Sequence, residues 1–586
     1  MPAWGLRCGA TARLWAPAAT AVSLIADGRA PTPMHAEPGG WFTAEHDLQP
    51  GDRYLFEVDG ARVPDPASRF QPDGPEHWSQ AVALDHYAWR CPGWTGRPWR
   101  ETVLYELHIG TFSVQGTFLG AIDHLDHLAR LGVTMIELMP VATFPGARNW
   151  GYDGVLPFAP SATYGAPDEL QRLVDECHLR GLSIILDVVY NHFGPAATFI
   201  DRYAPAFFTE RHHTPWGPAI NFDGQHSAAV RAFYVENALQ WIVDYRFDGL
   251  RLDAVQAIVD DSRTPILTEI AGRARAGAPE RHVHLTLEND LNEARWLEPG
   301  AYDAQWNDDF HHVMRVLLAG QTDGYFEDYA TDPVQHLGRA LTEGFSYQGQ
   351  ESKHRPGMFR GTKSGHLPPA AFVNFLQNHD QVGNAPYGKR LSALAPVEAV
   401  RLGAAVLLLA PGIPMLFMGE EWAASTKFDF FVDYTGPLAD AVRRGRRDEF
   451  KRFKEFQSDA ALDRLSDPAA PDTMAHSALN WSELTEPGHA GMLALHTHLL
   501  RLRADLIVPL LDRLVSAGFK ALSPRAIEAR WTTGQQTLTL AANFSPDPVV
   551  YDDPVVYDGP AAAFTLGPAE PGHLPPWGVR LACTTL

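Results

Sequence analysis

Between residue 11 and about residue 90, apolar and polar positions alternate in short stretches, as at Tyr54, Phe56 and Val58. Gly39-Gly40, Pro50-Gly51-Asp52 and Asp59-Gly60 cut the stretches apart. A period of two punctuated by turn residues predicts antiparallel strands, and the region reads as an immunoglobulin-like β-sandwich of the carbohydrate-binding-module type, residues 1–95. Pro92, Gly93, Gly96 and Pro98 mark a linker after it.

Beyond the linker the texture changes to continuous apolar strands alternating with amphipathic helices, the pattern of a parallel sheet covered on both faces. One unit is readable in detail. Pro167 opens a helix with Asp168 and Glu169 in its first turn, Leu170, Leu173, Val174 and Cys177 recur on one face, and Gly181 stops it. An apolar strand, 183–189, follows at once. Eight strands are predicted near 103–109, 135–141, 183–189, 249–253, 283–288, 302–306, 371–377 and 413–418. Eight such repeats predict an α/β fold, a closed (β/α)8 TIM barrel over 96–515. The stretch 193–225, rich in Pro, Phe and His, has no clear period and reads as an enlarged loop at the barrel mouth. After a final helix near 487–505, alternation returns from about 518, with Thr537 and Thr539 opposing Leu538 and Leu540. This predicts a second β-sandwich, residues 516–586, at the C-terminal side.

Composition changes this picture little. With 586 residues the chain is long enough for three or four domains, and 45% apolar and 20% charged residues describe a globular protein. No apolar run is long enough to span a bilayer. A net charge of −22 argues against nucleic acid and against an anionic membrane surface as partners, and leaves a neutral, hydroxyl-rich substrate open. The start of the chain lacks the pattern of a secretory signal, so a cytoplasmic location is expected. Cys8, Cys91, Cys177 and Cys583 are too dispersed for a disulfide scaffold or a metal site, and Cys177 reads as a buried apolar residue. Asn191 could offer an oxygen to calcium, yet no cluster of oxygen ligands accompanies it. No metal and no cofactor are expected. Core packing accounts for most of the 16 Trp and 17 Tyr, with sugar stacking open to some.

Four predicted strands end in polar clusters: Asp-Val-Val-Tyr-Asn-His (187–192), Gly-Leu-Arg-Leu-Asp (249–253), Leu-Thr-Leu-Glu-Asn (285–289) and Phe-Leu-Gln-Asn-His-Asp (375–380). A barrel gathers these ends at one mouth, which brings together Asp253, Glu288 and Asp380. Hydrolysis with retention needs a nucleophilic carboxylate and an acid/base carboxyl about 5 to 5.5 Å apart. Neighbouring strands about 4.8 Å apart can supply that separation from Asp253 and Glu288. Arg251, two positions before Asp253, shares its side of the strand and would hold the carboxylate ionised, which makes Asp253 the nucleophile. Leu285, Thr286 and Leu287 give Glu288 an apolar setting that would keep it protonated as the acid. His192 and His379 could donate to sugar hydroxyls, Asp187 reads as a buried partner of Arg251, and Tyr152 in Asn-Trp-Gly-Tyr-Asp-Gly (149–154) is a candidate sugar platform. Any one of these residues alone would be read as a cap, a core residue or ordinary loop packing; the set in register reverses that reading.

Together the four segments resemble glycoside hydrolase family 13, the α-amylase superfamily, over nearly the whole chain. The resemblance implies Asp253 as nucleophile, Glu288 as general acid/base and Asp380 as transition-state stabiliser, with Tyr152, His192, Arg251 and His379 around the attacked ring and Trp150, Asp187 and Gln256 among the substrate-binding residues. Within the family the likeness is strongest to members that cut the α-1,4 bond beside a terminal trehalose. It is carried by Asn-Trp-Gly-Tyr-Asp-Gly-Val (149–155), Leu-Glu-Asn-Asp with Asn-Glu-Ala-Arg (287–295), Ala-Gln-Trp-Asn-Asp-Asp-Phe-His-His (304–312), Phe-Leu-Gln-Asn-His-Asp-Gln-Val-Gly-Asn (375–384) and Gly-Arg-Arg-Asp-Glu-Phe (445–450). Gln256, Ala385 and Tyr434 depart from it, standing where His, Arg and His are usual. A glucan branching enzyme shares the sandwich, barrel and trio, and a non-catalytic glucan-binding barrel is the alternative from another class.

Overall fold

The computed structural model describes residues 4–451, 453, 456, 458–551, 563–568 and 572–585. At its centre is a closed barrel of eight parallel strands. They are β1 (Leu104–Leu107), β2 (Met135–Leu138), β3 (Ser183–Val188), β4 (Gly249–Leu252), β5 (His284–Leu287), β6 (Ala304–Trp306), β7 (Phe372–Phe375) and β8 (Ile413–Phe417). Each strand pairs with the next in order, and β8 closes onto β1. Every residue of these strands is buried, the polar ones such as Arg251, Thr286 and Asn374 included, so the strands read as short, mostly apolar segments without an exposed polar face.

The helix Pro167–Leu179 shows how sequence sets the local structure. Pro167 stands at its first position, Glu169 Oε2 accepts the Ala166 N–H at 2.9 Å, and Leu170, Leu173, Val174 and Cys177 are buried. Burial pushes the Cys177 thiol up, so it stays a neutral packing group. Gly181 takes a φ of 71°, which lets the chain turn straight into β3.

Gly249 explains the glycine that opens the second strand-end segment. A Cβ there would lie 1.9 Å from the His284 carbonyl oxygen, so only glycine lets β4 approach β5 this closely. In that register Arg251 faces Thr286 and Leu252 faces Leu287, which leaves Asp253 and Glu288 as the next pair beyond the ladder.

Before the barrel, two antiparallel sheets are built from strands between Ala12 and Gln80. Trp4, fully buried, ties them to the barrel: its N–H donates to Glu236 at 2.7 Å and its ring packs edge-on against Phe233 and Trp41. After the barrel, Val515–Ser523, Ala526–Thr532, Gln536–Asn543, Ala563–Leu566 and Val579–Thr585 form a five-stranded antiparallel sheet in which Leu538 and Leu540 are buried. The stretch 193–225 differs from the expected irregular loop. It contains short helical turns and a hairpin of Phe208–Thr214 with Gly217–Ile220, whose pairing depends on a register shift that hides the period-two signal. No helix among the described residues is long and apolar enough to cross a membrane.

Candidate active site

One arginine organises the barrel mouth. Arg251, fully buried on β4, lies 4.0 Å over the Trp306 ring of β6. Its Nη1 donates to Asp187 Oδ2 at 2.7 Å and to Asp253 Oδ1 at 2.9 Å, and its Nη2 donates to Glu288 Oε2 at 2.7 Å. A guanidinium is a planar fork of donors that does not deprotonate, so it can hold three carboxylates in one arrangement. Asp253 receives further support from Asn191 Nδ2, which donates to its Oδ2 at 2.8 Å and to its backbone oxygen at 2.7 Å.

Glu288 is not in the purely apolar setting expected from Leu285–Leu287, whose side chains are buried in the barrel wall. Beyond Arg251, its Oε2 accepts the Ala254 N–H at 3.0 Å. Burial still raises its pKa against the opposing pull of Arg251, which favours a protonated acid. Ala254 holds a left-handed φ of 39°, strained for a non-glycine residue, immediately after Asp253. The bonds from Ala254 and Val255 N–H to Glu288 stabilise that turn and lock the two strand ends together.

Across the mouth, the Asp380 pKa is raised by burial, against the pull of His379. His379 donates from its backbone N–H to Glu106 Oε2 at 2.9 Å and from Nδ1 to Glu106 Oε1 at 2.5 Å. Burial alone would neutralise this imidazole, but Glu106 and Asp380 override it and lift its pKa to about 9. His192 is the opposite case: burial lowers it to about 4, and its ring stacks 4.4 Å from that of Trp216 at the hairpin tip. At neutral pH the mouth therefore holds one cationic and one neutral histidine.

The remaining expected residues divide into two groups. Tyr152 stacks 4.9 Å from His379 and donates from its hydroxyl to Asp187 Oδ2 at 2.6 Å. Gln256 sits half-buried in the turn after Ala254, its Oε1 buried without a partner in the protein. Asp187 and Trp150 do not face the cleft. Asp187 is 2% exposed beneath the mouth, its pKa lifted to about 7 by burial against the pull of Arg251. Trp150 is 3% exposed, enclosed by Phe428, Phe430 and His379, and donates to the Asp429 carbonyl. It backs the His379 ring, which corrects its expected place among substrate contacts. Of the departures, Ala385 and Tyr434 are both buried.

Four side chains at or below the mouth escaped sequence reading: Glu106, Trp216, Glu137 and Asp308. Glu137 on β2 is fully buried with both carboxyl oxygens unpartnered, and burial raises its pKa well above the usual range. Asp308, first residue of the helix Asp308–Ala319, accepts from Gln381 Nε2 at 3.2 Å. Burial and the charges of Glu288, Asp290 and Asp380 push it well up too. Its signal was the acidic pair in Gln-Trp-Asn-Asp-Asp.

Among the described residues, metal-ligand spacing occurs at His212, Asp223 and Asp261. Arg211 already pairs with both carboxylates there, at 3.1 and 3.9 Å.

Comparison with known proteins gives consistent answers. Residues 93–219 match the alpha-amylase catalytic-domain family, and 516–581 match a domain of unknown function. The chain is 40% identical over 503 residues to a malto-oligosyltrehalose trehalohydrolase of Deinococcus radiodurans, covering 85% of this chain and 81% of that one. A 1,4-alpha-glucan branching enzyme of Rhodospirillum rubrum is 33% identical over 463 residues, with 71% of this chain and 60% of that one covered. A crystal structure from Salmonella typhimurium bearing the provisional name alpha amylase superposes with a TM-score of 0.92 over 100% of both chains at 41% identity.

Proposed function

The chain belongs to the malto-oligosyltrehalose trehalohydrolases of the α-amylase superfamily, and from that membership we propose that its barrel mouth releases trehalose from malto-oligosyltrehalose. The reaction is hydrolysis of the α-1,4 bond beside the terminal trehalose unit, leaving a malto-oligosaccharide. The observation that carries the reading is the Arg251 fork, which holds Asp253 and Glu288 from neighbouring strands on one guanidinium.

In the proposed mechanism Asp253 attacks the anomeric carbon while Glu288 protonates the oxygen of the departing trehalose. Arg251 and Asn191 keep Asp253 oriented for attack. Burial pushes Glu288 toward the protonated form that the first step needs. Once trehalose has left, Glu288 deprotonates water, which releases the glycosyl group from Asp253 with net retention. Asp380 binds ring hydroxyls and its carboxylate favours the distorted, positively charged transition state, while the His379 cation is a hydrogen-bond donor for the same ring and orients Asp380. Tyr152 offers its ring to the same sugar, and His192, as a neutral donor, completes that subsite. Gln256 is assigned to the leaving side, its free Oε1 an acceptor for a trehalose hydroxyl.

The proposal extends to the setting. The substrate is the product of a malto-oligosyltrehalose synthase, so the enzyme acts downstream of one in trehalose biosynthesis. A cytoplasmic location is part of the reading, supported by four cysteines that are all free thiols. The enzyme handles other α-glucans through the same subsites, without nucleic acid or membrane partners. Incubation with malto-oligosyltrehalose and chromatography of the products tests it: free trehalose is expected, whereas new α-1,6 branches with the trehalose end intact would identify a branching enzyme.

A further inference from the structure

The run Gly-Arg-Arg-Asp-Glu-Phe at 445–450 lies on the helix Gly436–Phe450, outside the strand ends, and the mechanism above leaves it without a task. Its Arg446 reaches the back of the catalytic mouth. The half-buried guanidinium lies 5.1 Å from the Phe430 ring centroid and 4.8 Å from that of Phe450. It donates from Nη2 to the Gly383 carbonyl at 2.9 Å and from Nη1 to Asn384 Oδ1 at 2.7 Å and Glu449 Oε2 at 3.0 Å. Gly383 ends the short helix His379–Gly383 that carries Asp380.

Asn384 continues the chain of contacts. Its Nδ2 donates to Asp380 Oδ1 at 2.8 Å, and its backbone N–H donates to the Asp380 carbonyl at 2.9 Å. An asparagine amide can face either way, with an acceptor at one end and a donor at the other. Arginine can only donate, so Arg446 fixes Oδ1 on its own side and turns the NH2 group to Asp380. Reversed, the amide would set its oxygen against a carboxylate. His379 Nε2, 3.5 Å away, also converges on Asp380 Oδ1, which leaves Oδ2 for sugar hydroxyls.

We propose that Arg446 and Asn384 are positioning residues for Asp380: the arginine sets the asparagine amide, and the asparagine holds the carboxylate in the rotamer that serves the transition state. The relay rests on the assignment of Asp380 as transition-state stabiliser. Asp380 stands on a helix of only five residues, His379–Gly383, so its carboxylate depends on side-chain contacts to hold it in place. Both relay members act through Asp380, whose Oδ1 Asn384 holds. Their effect therefore falls on turnover and not on binding.

The discriminating variant is Asn384→Asp. It keeps the size and strengthens the acceptor for Arg446, but replaces the donor facing Asp380 by a carboxylate oxygen. If Arg446 and Asn384 only secured the 383–388 turn, this variant would turn over like the wild type. The relay predicts a kcat for malto-oligosyltrehalose lowered about tenfold or more with KM within about threefold, the pattern of an interaction realised in the transition state. Arg446→Met, which retains packing between the two phenylalanines, lowers kcat in the same direction, and the double variant is no slower than Asn384→Asp alone. Should Asn384→Asp melt early, Arg446→Met carries the test by itself, and unchanged kcat there overturns the relay. Asp380→Asn separates the two levels of the claim. Wild-type turnover in that variant overturns the role of Asp380; an inactive Asp380→Asn beside a fully active Asn384→Asp overturns the relay alone.

Discussion

His379 Nδ1 lies 2.5 Å from Glu106 Oε1, a contact between strand ends β7 and β1 that makes this histidine a cation through the neutral range. Its pKa of about 9 lies above the ordinary value near 6.5, so the pair stabilises the fold fully below about pH 6.5. That contribution is lost as pH rises through 9. Thermal melting between pH 6 and 10 should show the decline, and Glu106→Gln should flatten it. In the same variant the alkaline limb of kcat/KM moves to lower pH; an unmoved limb would show that the charge on His379 plays no part.

In the proposed mechanism Glu288→Gln removes the proton that the leaving trehalose needs. Hydrolysis of malto-oligosyltrehalose should fall about 100- to 10,000-fold. An α-glycosyl fluoride departs without protonation, so its conversion to the glycosyl-enzyme should fall far less. Equal losses on both substrates would remove the acid role from Glu288.

The fold was legible where burial is uniform. All eight strands fall within the predicted segments, because a strand covered on both faces is a mostly apolar segment that local sequence can show. Glu106 and Glu137 were not legible for the same reason: each is one polar residue inside such a run, and the partner of Glu106 stands 273 positions away. Trp150 was expected among the substrate contacts through its loop motif, and only the packing of Phe428 and Phe430 shows that it is enclosed. Arg446 was visible as part of a motif without its contact to Asn384, which no local period encodes.

Gly249→Ala should be costly although alanine is small. Its Cβ would meet the His284 carbonyl oxygen at 1.9 Å, and backbone cannot move aside as a flexible side chain can. A loss of about 2–4 kcal/mol in urea unfolding is expected, with activity reduced further by the displaced Asp253–Glu288 register. Wild-type stability would mean that the β4–β5 approach is looser than described.

Glu137 is read as a neutral carboxylic acid, so an uncharged amide of the same shape should serve. Glu137→Gln is expected within about 1 kcal/mol of wild type with an unchanged pH profile, and Glu137→Ala is expected to cost about 2 kcal/mol or more through the cavity it leaves. A shifted profile in Glu137→Gln would show that the residue is ionised.

The central claim is retaining release of trehalose by Asp253 and Glu288. Proton NMR of malto-oligosyltrehalose during the first minutes of hydrolysis reads both halves of it at once. The account predicts free trehalose together with a malto-oligosaccharide whose new reducing end appears first as the α-anomer. A β-anomer appearing first would exclude the retaining pair, and turnover without free trehalose would exclude the substrate.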